Sequence, residues 1–343
     1  MFYLWRRMEE EDRGRVWRLY GWFTALMACG SCFGAVAWAA NMMSTANIFK
    51  SRKQNLADKT SFLALADSWT SAFLVTYAVE FLCMCAANLM VLDRMSTFVA
   101  LQDTLMQKRW AAAGRVVMAA VVLGNAVGLA ANAAAAVHYH KAAQAQSKAS
   151  ALYSANSTDE GNNYRLLGRD EVQLGGRIAS VQRFAEVAVL LLIILAFVAV
   201  GVLSARRVSS RLLDVDAASA AAATGRAIRR RIVITTAFIF VTFLIRSTLS
   251  TMVAVANELR NFNEQCPRST GTCDVSCHNV YSHFVGWTLY TPAFESTIVL
   301  ISSPVTLLVA LWGMTTKAAL QLMMSSVQES SAVPLTLTKS NNR

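Results

Sequence analysis

Six long apolar stretches dominate this chain and restrict it to few folds. They run about 16–43, 62–92, 111–138, 184–204, 232–256 and 287–314, and each has the roughly 20 residues that a helix needs to cross a bilayer. Lipid offers the backbone no hydrogen-bond partners, so a spanning segment of this length must satisfy its own amides as a helix. The expected fold is therefore all-α: a polytopic integral membrane protein with six transmembrane helices. Only 15% of the 343 residues are charged and 55% are hydrophobic, where a soluble domain carries about 25% charged residues. No gap between the stretches would hold a separate domain of ordinary size. Residues 1–327 thus read as one transmembrane domain, followed by a polar, disordered cytosolic tail over 328–343.

Lys and Arg in the connecting segments set orientation. With six spans both termini share one side. That side carries 19 basic residues and the opposite side 12, which places both termini in the cytosol. The residues before the first stretch include Glu9, Glu10, Glu11 and Asp12. Acidic residues do not belong in the n-region of a cleavable signal, so the first stretch is expected to stay as a membrane helix. The net charge of +11 reads as membrane-flanking charge rather than a nucleic-acid surface. Integral insertion in the plasma membrane or another secretory-pathway membrane follows, with the lipid bilayer as the first partner.

Two features fit the outer side of this map. Asn156-Ser157-Thr158 forms a glycosylation sequon in the long segment 139–183, expected as a loop. Cys266, Cys273 and Cys277 cluster before the last span, where disulfides persist. His138, His140, Cys273, Cys277, His278 and His283 share that side but match no standard zinc spacing, so neither a metal nor another cofactor is expected. On the inner side, seven arginines between 205 and 231 form a surface for anionic inner-leaflet lipids. Within it, Arg206-Arg207-Val208-Ser209 fits the substrate pattern of basophilic kinases, making Ser209 a phosphorylation candidate.

Charges inside apolar helices are the strongest functional leads, because lipid penalises them unless they face a partner or water. Arg246 stands in the middle of the fifth stretch, Glu80 in the middle of the second and Glu295 in the outer third of the sixth. They form a candidate intramembrane network, either a static ion pair or the centre of a switch or pathway. Asn88, Asn125 and Asn132 read as interhelical glue. Gly30/Gly34 and Gly124/Gly128 have the spacing that permits close helix packing, and no internal repeat is evident.

The second stretch closes on Asp93-Arg94. This pair resembles the activation motif that closes the third helix of rhodopsin-like receptors. It differs in lying on the second span of six and in lacking the following Tyr. The last stretch contains no Lys for a retinal Schiff base, the fourth has no arginine ladder, and no carbonyl-filter sequence precedes the sixth. Catalytic motifs are absent, and no enzyme is expected. The leading functional expectation is a receptor-like or signalling membrane protein. A small-solute or ion transporter using Arg246, Glu80 and Glu295, or a structural scaffold, is the alternative.

Overall fold

The computed structural model describes residues 10–100, 104–213 and 220–265, together with His283 and Trp287. These residues form five helices and, among them, no strand. They are α1 (Glu10–Ser51), α2 (Leu56–Ala100), α3 (Thr104–Ser154), α4 (Thr158–Leu213) and α5 (Ala220–Gln265). All five contain stretches long and apolar enough to cross a membrane, in accord with a multi-pass membrane protein. Apart from Trp287, the expected sixth span over 287–314 lies outside the described residues, as does the tail over 328–343.

The helices are longer than the apolar stretches that announce them. They contain 42 to 56 residues, or about 63–84 Å at 1.5 Å per residue. A bilayer's hydrocarbon core is about 30 Å thick, so part of every helix lies outside it. This corrects two expected loops. Residues 44–61 and 139–183 are helical except for short turns at 52–55 and 155–157. The chain therefore makes two helical hairpins, α1–α2 and α3–α4, which continue past the apolar stretches.

Local chemistry fixes both turns. Asn55 caps α2, its side-chain oxygen accepting from the Asp58 amide at 2.9 Å, as N-cap residues do. At the second turn Asn156 adopts φ 61°, the left-handed conformation that commonly ends a helix and that Asn tolerates. Its amide donates to Tyr153 O at 3.2 Å, and the Ser157 amide donates to Leu152 O at 2.9 Å. Ser157 then opens α4, with its hydroxyl 3.4 Å from Glu160. Ser-x-x-Glu is the spacing of a capping box.

The described chain divides into two compact units. The first comprises the described residues of α1, α2 up to Ala87, α3 from Ala120, α4 up to Leu192, and α5 from Phe243. Its hairpins are tied together by polar contacts. Ser150 donates to Ala57 O at 2.8 Å, Gln146 to Asp67 at 2.8 Å, and Ser71 to Ala136 O at 2.8 Å. Ser44 and Thr70 pair at 2.8 Å between α1 and α2. Further along, Trp38, Phe73 and Tyr77 stack with Ala37, Ala40, Leu74, Ala135 and Ala136 in a buried core.

Within this unit α3 and α4 approach closely through a seven-residue register. Gly161, Gly168 and Gly175 of α4 face Tyr153, Gln146 and Tyr139 of α3. Both series are spaced by seven, the heptad interval of packed helices. A Cβ on Gly168 would lie 2.9 Å from Gln146 Cγ and 3.3 Å from the Ala142 carbonyl. A Cβ on Gly161 would meet the Tyr153 ring at 2.8 Å. These glycines exist for backbone proximity, at about 1 kcal/mol of helix propensity each.

The second unit comprises the described residues over 88–119 and 193–242. Its core includes Val91 and Leu92 of α2, Ile193, Ile194, Phe197 and Val200 of α4, and Ile239 of α5. Gly201 admits the Thr236 side chain, which a Cβ there would strike at 2.3 Å. Arg206 on α4 and Arg226, Arg229 and Arg230 on α5 are exposed.

Candidate functional site: a buried carboxylate node

Among the described residues of the first unit, Glu186 gathers polar contacts from five side chains. It is 1% exposed and stands where α4 changes character. Charged residues are frequent before it, and none occurs from 187 to 205. Its Oε1 accepts from the Tyr77 hydroxyl at 2.7 Å, from Ser250 Oγ at 3.3 Å and from Arg246 Nη2 at 3.4 Å. Its Oε2 accepts from Gln182 Nε2 at 3.2 Å and forms an ion pair with Arg183 Nη1 at 3.6 Å. Helical spacing explains the local partners, since Gln182 and Arg183 lie four and three residues earlier on the same face. Tyr77 belongs to α2, and Arg246 and Ser250 belong to α5. One carboxylate thus gathers donors from three helices.

The distances rank these interactions. Charge-assisted N–H···O bonds are typically about 2.7–2.9 Å, so the arginine contacts are long and the Tyr77 phenol makes the tightest bond. An ionised carboxylate has about four acceptor sites, and Glu186 accepts four hydrogen bonds, three of them at Oε1. Arg183 also donates to the Tyr77 hydroxyl at 3.2 Å and lies 4.8 Å from the centre of its ring. Arg246, 1% exposed, lies 5.6 Å from the centre of the Phe81 ring. Two arginines and one glutamate would leave an excess positive charge in a poorly solvated core. Glu80, 3% exposed and one turn beyond Tyr77, supplies the second carboxylate. Its Oε2 has no hydrogen-bond partner among the described residues.

The sequence-based expectations distribute unevenly over this geometry. Arg246 and Glu80 both lie in the core of the first unit, while Glu295 lies outside the described residues. Arg246 meets Glu186, a partner not anticipated for it. Cys266, Cys273 and Cys277 also lie outside the described residues. Asn156 occupies the apex of the α3–α4 hairpin and is exposed. Ser209 is inside α4, and its hydroxyl donates to Ala205 O at 3.0 Å. Asp93 and Arg94 do not end α2, which continues to Ala100. His138 pairs with Glu171 at 2.6 Å and His140 with Gln144 at 3.0 Å. No group of three potential metal ligands occurs among the described residues.

Glu186, Tyr77, Gln182, Arg183 and Ser250 escaped the sequence reading. Glu186 did carry a signal, since it is a carboxylate inside an apolar stretch. Its position two residues past the start made it resemble an ordinary interfacial charge. Tyr77 and Ser250 carry no such signal, because either residue suits an apolar helix without a polar partner. Comparison with protein-family models, with curated proteins and with solved structures finds no match to this chain.

Proposed function

We propose that this multi-pass membrane protein is receptor-like, and that the Glu186 node is the lock holding its resting arrangement. The observation that carries the reading is the convergence of donors from α2 and α5 on one carboxylate of α4. A signal that weakens Glu186's hold on Arg246 and Tyr77 would release two helices together. Buried ion pairs suit this role because they specify one arrangement while contributing little net stability. In this reading the termini and residues 205–231 face the cytosol at the plasma membrane or a secretory-pathway membrane. The arginines there meet anionic lipid, and phosphorylation of Ser209 opposes that contact. Phosphorylation requires the last turns of α4 to open, since Ser209 is helical.

Cys85 provides a readout that needs no known ligand. It lies two turns beyond Tyr77 on α2 and is 2% exposed. In a variant with the other cysteines replaced, Glu186→Gln should accelerate Cys85 alkylation by a membrane-permeant maleimide several-fold at unchanged surface level. Unchanged alkylation with reduced surface level would favour the scaffold reading and sink the lock.

One observation favours a second reading, transport. The buried Glu80 Oε2 without a partner is the kind of group that exchanges a proton or contacts a passing solute. Proteoliposomes distinguish the two. Transport predicts proton or ion flux that Glu80→Gln abolishes, whereas the lock predicts none.

A further inference from the structure

The α3–α4 hairpin presents its sequon in a setting that sequence alone does not reveal. Asn156 stands in the three-residue turn 155–157 between two helices of 51 and 56 residues. Asn156 and Thr158 are exposed, and Ser157 is half-buried. No charged residue occurs in α3 from 116 to 140, and Lys141 opens its polar end. Helix α3 runs sixteen residues beyond His138, to Ser154, or about 24 Å. The headgroup layer on each side of a bilayer is about 7 Å thick, so with the apolar stretch ending at His138 in the bilayer core the apex would stand clear of it.

We infer that Asn156 is a site of N-linked glycosylation and that the tip of the α3–α4 hairpin lies on the lumenal or extracellular side. The donor class is an oligosaccharide linked through a diphosphate to a polyprenol. In the transfer the Asn156 Nδ2 forms a bond to the anomeric carbon of the first sugar. The bond from that carbon to the diphosphate oxygen breaks, the lipid diphosphate leaves with the electron pair, and one amide proton passes to the transferase's base. Thr158 supplies the hydroxyl that the acceptor sequence requires at its third position. The inference is independent of the lock, because no residue of the Glu186 node takes part.

Asn156 also has a structural reason to be Asn, its left-handed φ, and the test must separate the two roles. The full chain is produced in eukaryotic cells, and the tryptic peptide carrying Asn156 is analysed by mass spectrometry before and after amidase deglycosylation. The wild-type peptide should carry a glycan, and amidase should convert Asn156 to Asp. Thr158→Ala leaves Asn156 in its turn and should abolish the glycan. Asn156→Gly keeps the left-handed turn and should do the same. Deglycosylation of folded protein should leave its gel-filtration profile unchanged. An unmodified Asn156 peptide from protein that has reached the cell surface would overturn the assignment. So would a glycan that persists in Thr158→Ala.

Discussion

Replacing Glu186 and Arg246 singly and together tests whether the node acts as a unit. Glu186→Leu removes the acceptor for Tyr77, Gln182, Ser250 and Arg246. It leaves a guanidinium that is 1% exposed facing a leucine. Removing one member of a buried ion pair costs about 3–5 kcal/mol. Arg246→Met strands the carboxylate in the same way, although Tyr77, Gln182, Ser250 and Arg183 still reach it. Its cost belongs at the lower end, about 3 kcal/mol. The double variant exposes neither charge to the other's absence. Apolar replacement of a whole buried pair is often neutral, leaving chiefly the lost Tyr77, Gln182 and Ser250 bonds at about 0.6–1.7 kcal/mol each, with the long Arg183 contact a smaller loss. The double should therefore cost less than the sum of the singles by about 3 kcal/mol. Reversible unfolding in mixed micelles with rising dodecyl sulfate measures all three changes. Additivity within about 0.5 kcal/mol, as distant sites show, would refute the coupling.

Tyr77→Phe deletes the shortest bond to Glu186 and keeps the ring against Trp38 and Phe73; the same unfolding assay should register a loss of about 0.6–1.7 kcal/mol. Gly168→Leu should destabilise by about 1–3 kcal/mol as it forces α3 from α4, because Gln146 and a backbone carbonyl already occupy the space. The control Gly114→Ala, with nothing within 4 Å of its new Cβ, should be neutral or stabilise by up to about 1 kcal/mol. Asn55→Ala should cost about 1 kcal/mol through loss of the α2 cap, seen as faster amide exchange at Asp58, whose N–H the Asn55 side chain accepts.

Hydropathy made the membrane helices legible, because a run such as Val189–Leu195 has no stable alternative in lipid. It could not show where the helices stop. Beyond the apolar stretches, α3 and α4 continue as an alanine- and glycine-rich pair whose polar residues mimic a loop. The informative pattern there was the seven-residue spacing of Gly161, Gly168 and Gly175 opposite Tyr139, Gln146 and Tyr153. It is visible only when two segments are read against each other in antiparallel order. The turn chemistry was local and readable, with Ser157 and Glu160 at capping-box spacing. For the candidate site, depth in an apolar helix singled out Arg246 and Glu80, and both are buried. Depth gave no means of choosing partners, since these depend on helix rotation and neighbour order. Glu186 lies near the edge of its apolar stretch in sequence but is enclosed by α2 and α5 in the fold.

The lock is tested most directly by the distance between α2 and α5 with the node intact and broken. Val75 and Met252 are exposed, at 50% and 43%, and lie close in sequence to Tyr77 and Ser250. Spin labels at both positions, in protein reconstituted into nanodiscs, report that distance by pulsed electron resonance. The account predicts one narrow distribution for the otherwise wild-type chain and a second, displaced population in Glu186→Gln. A single unchanged distribution in a folded Glu186→Gln variant would contradict it and leave the node as a fixed strut.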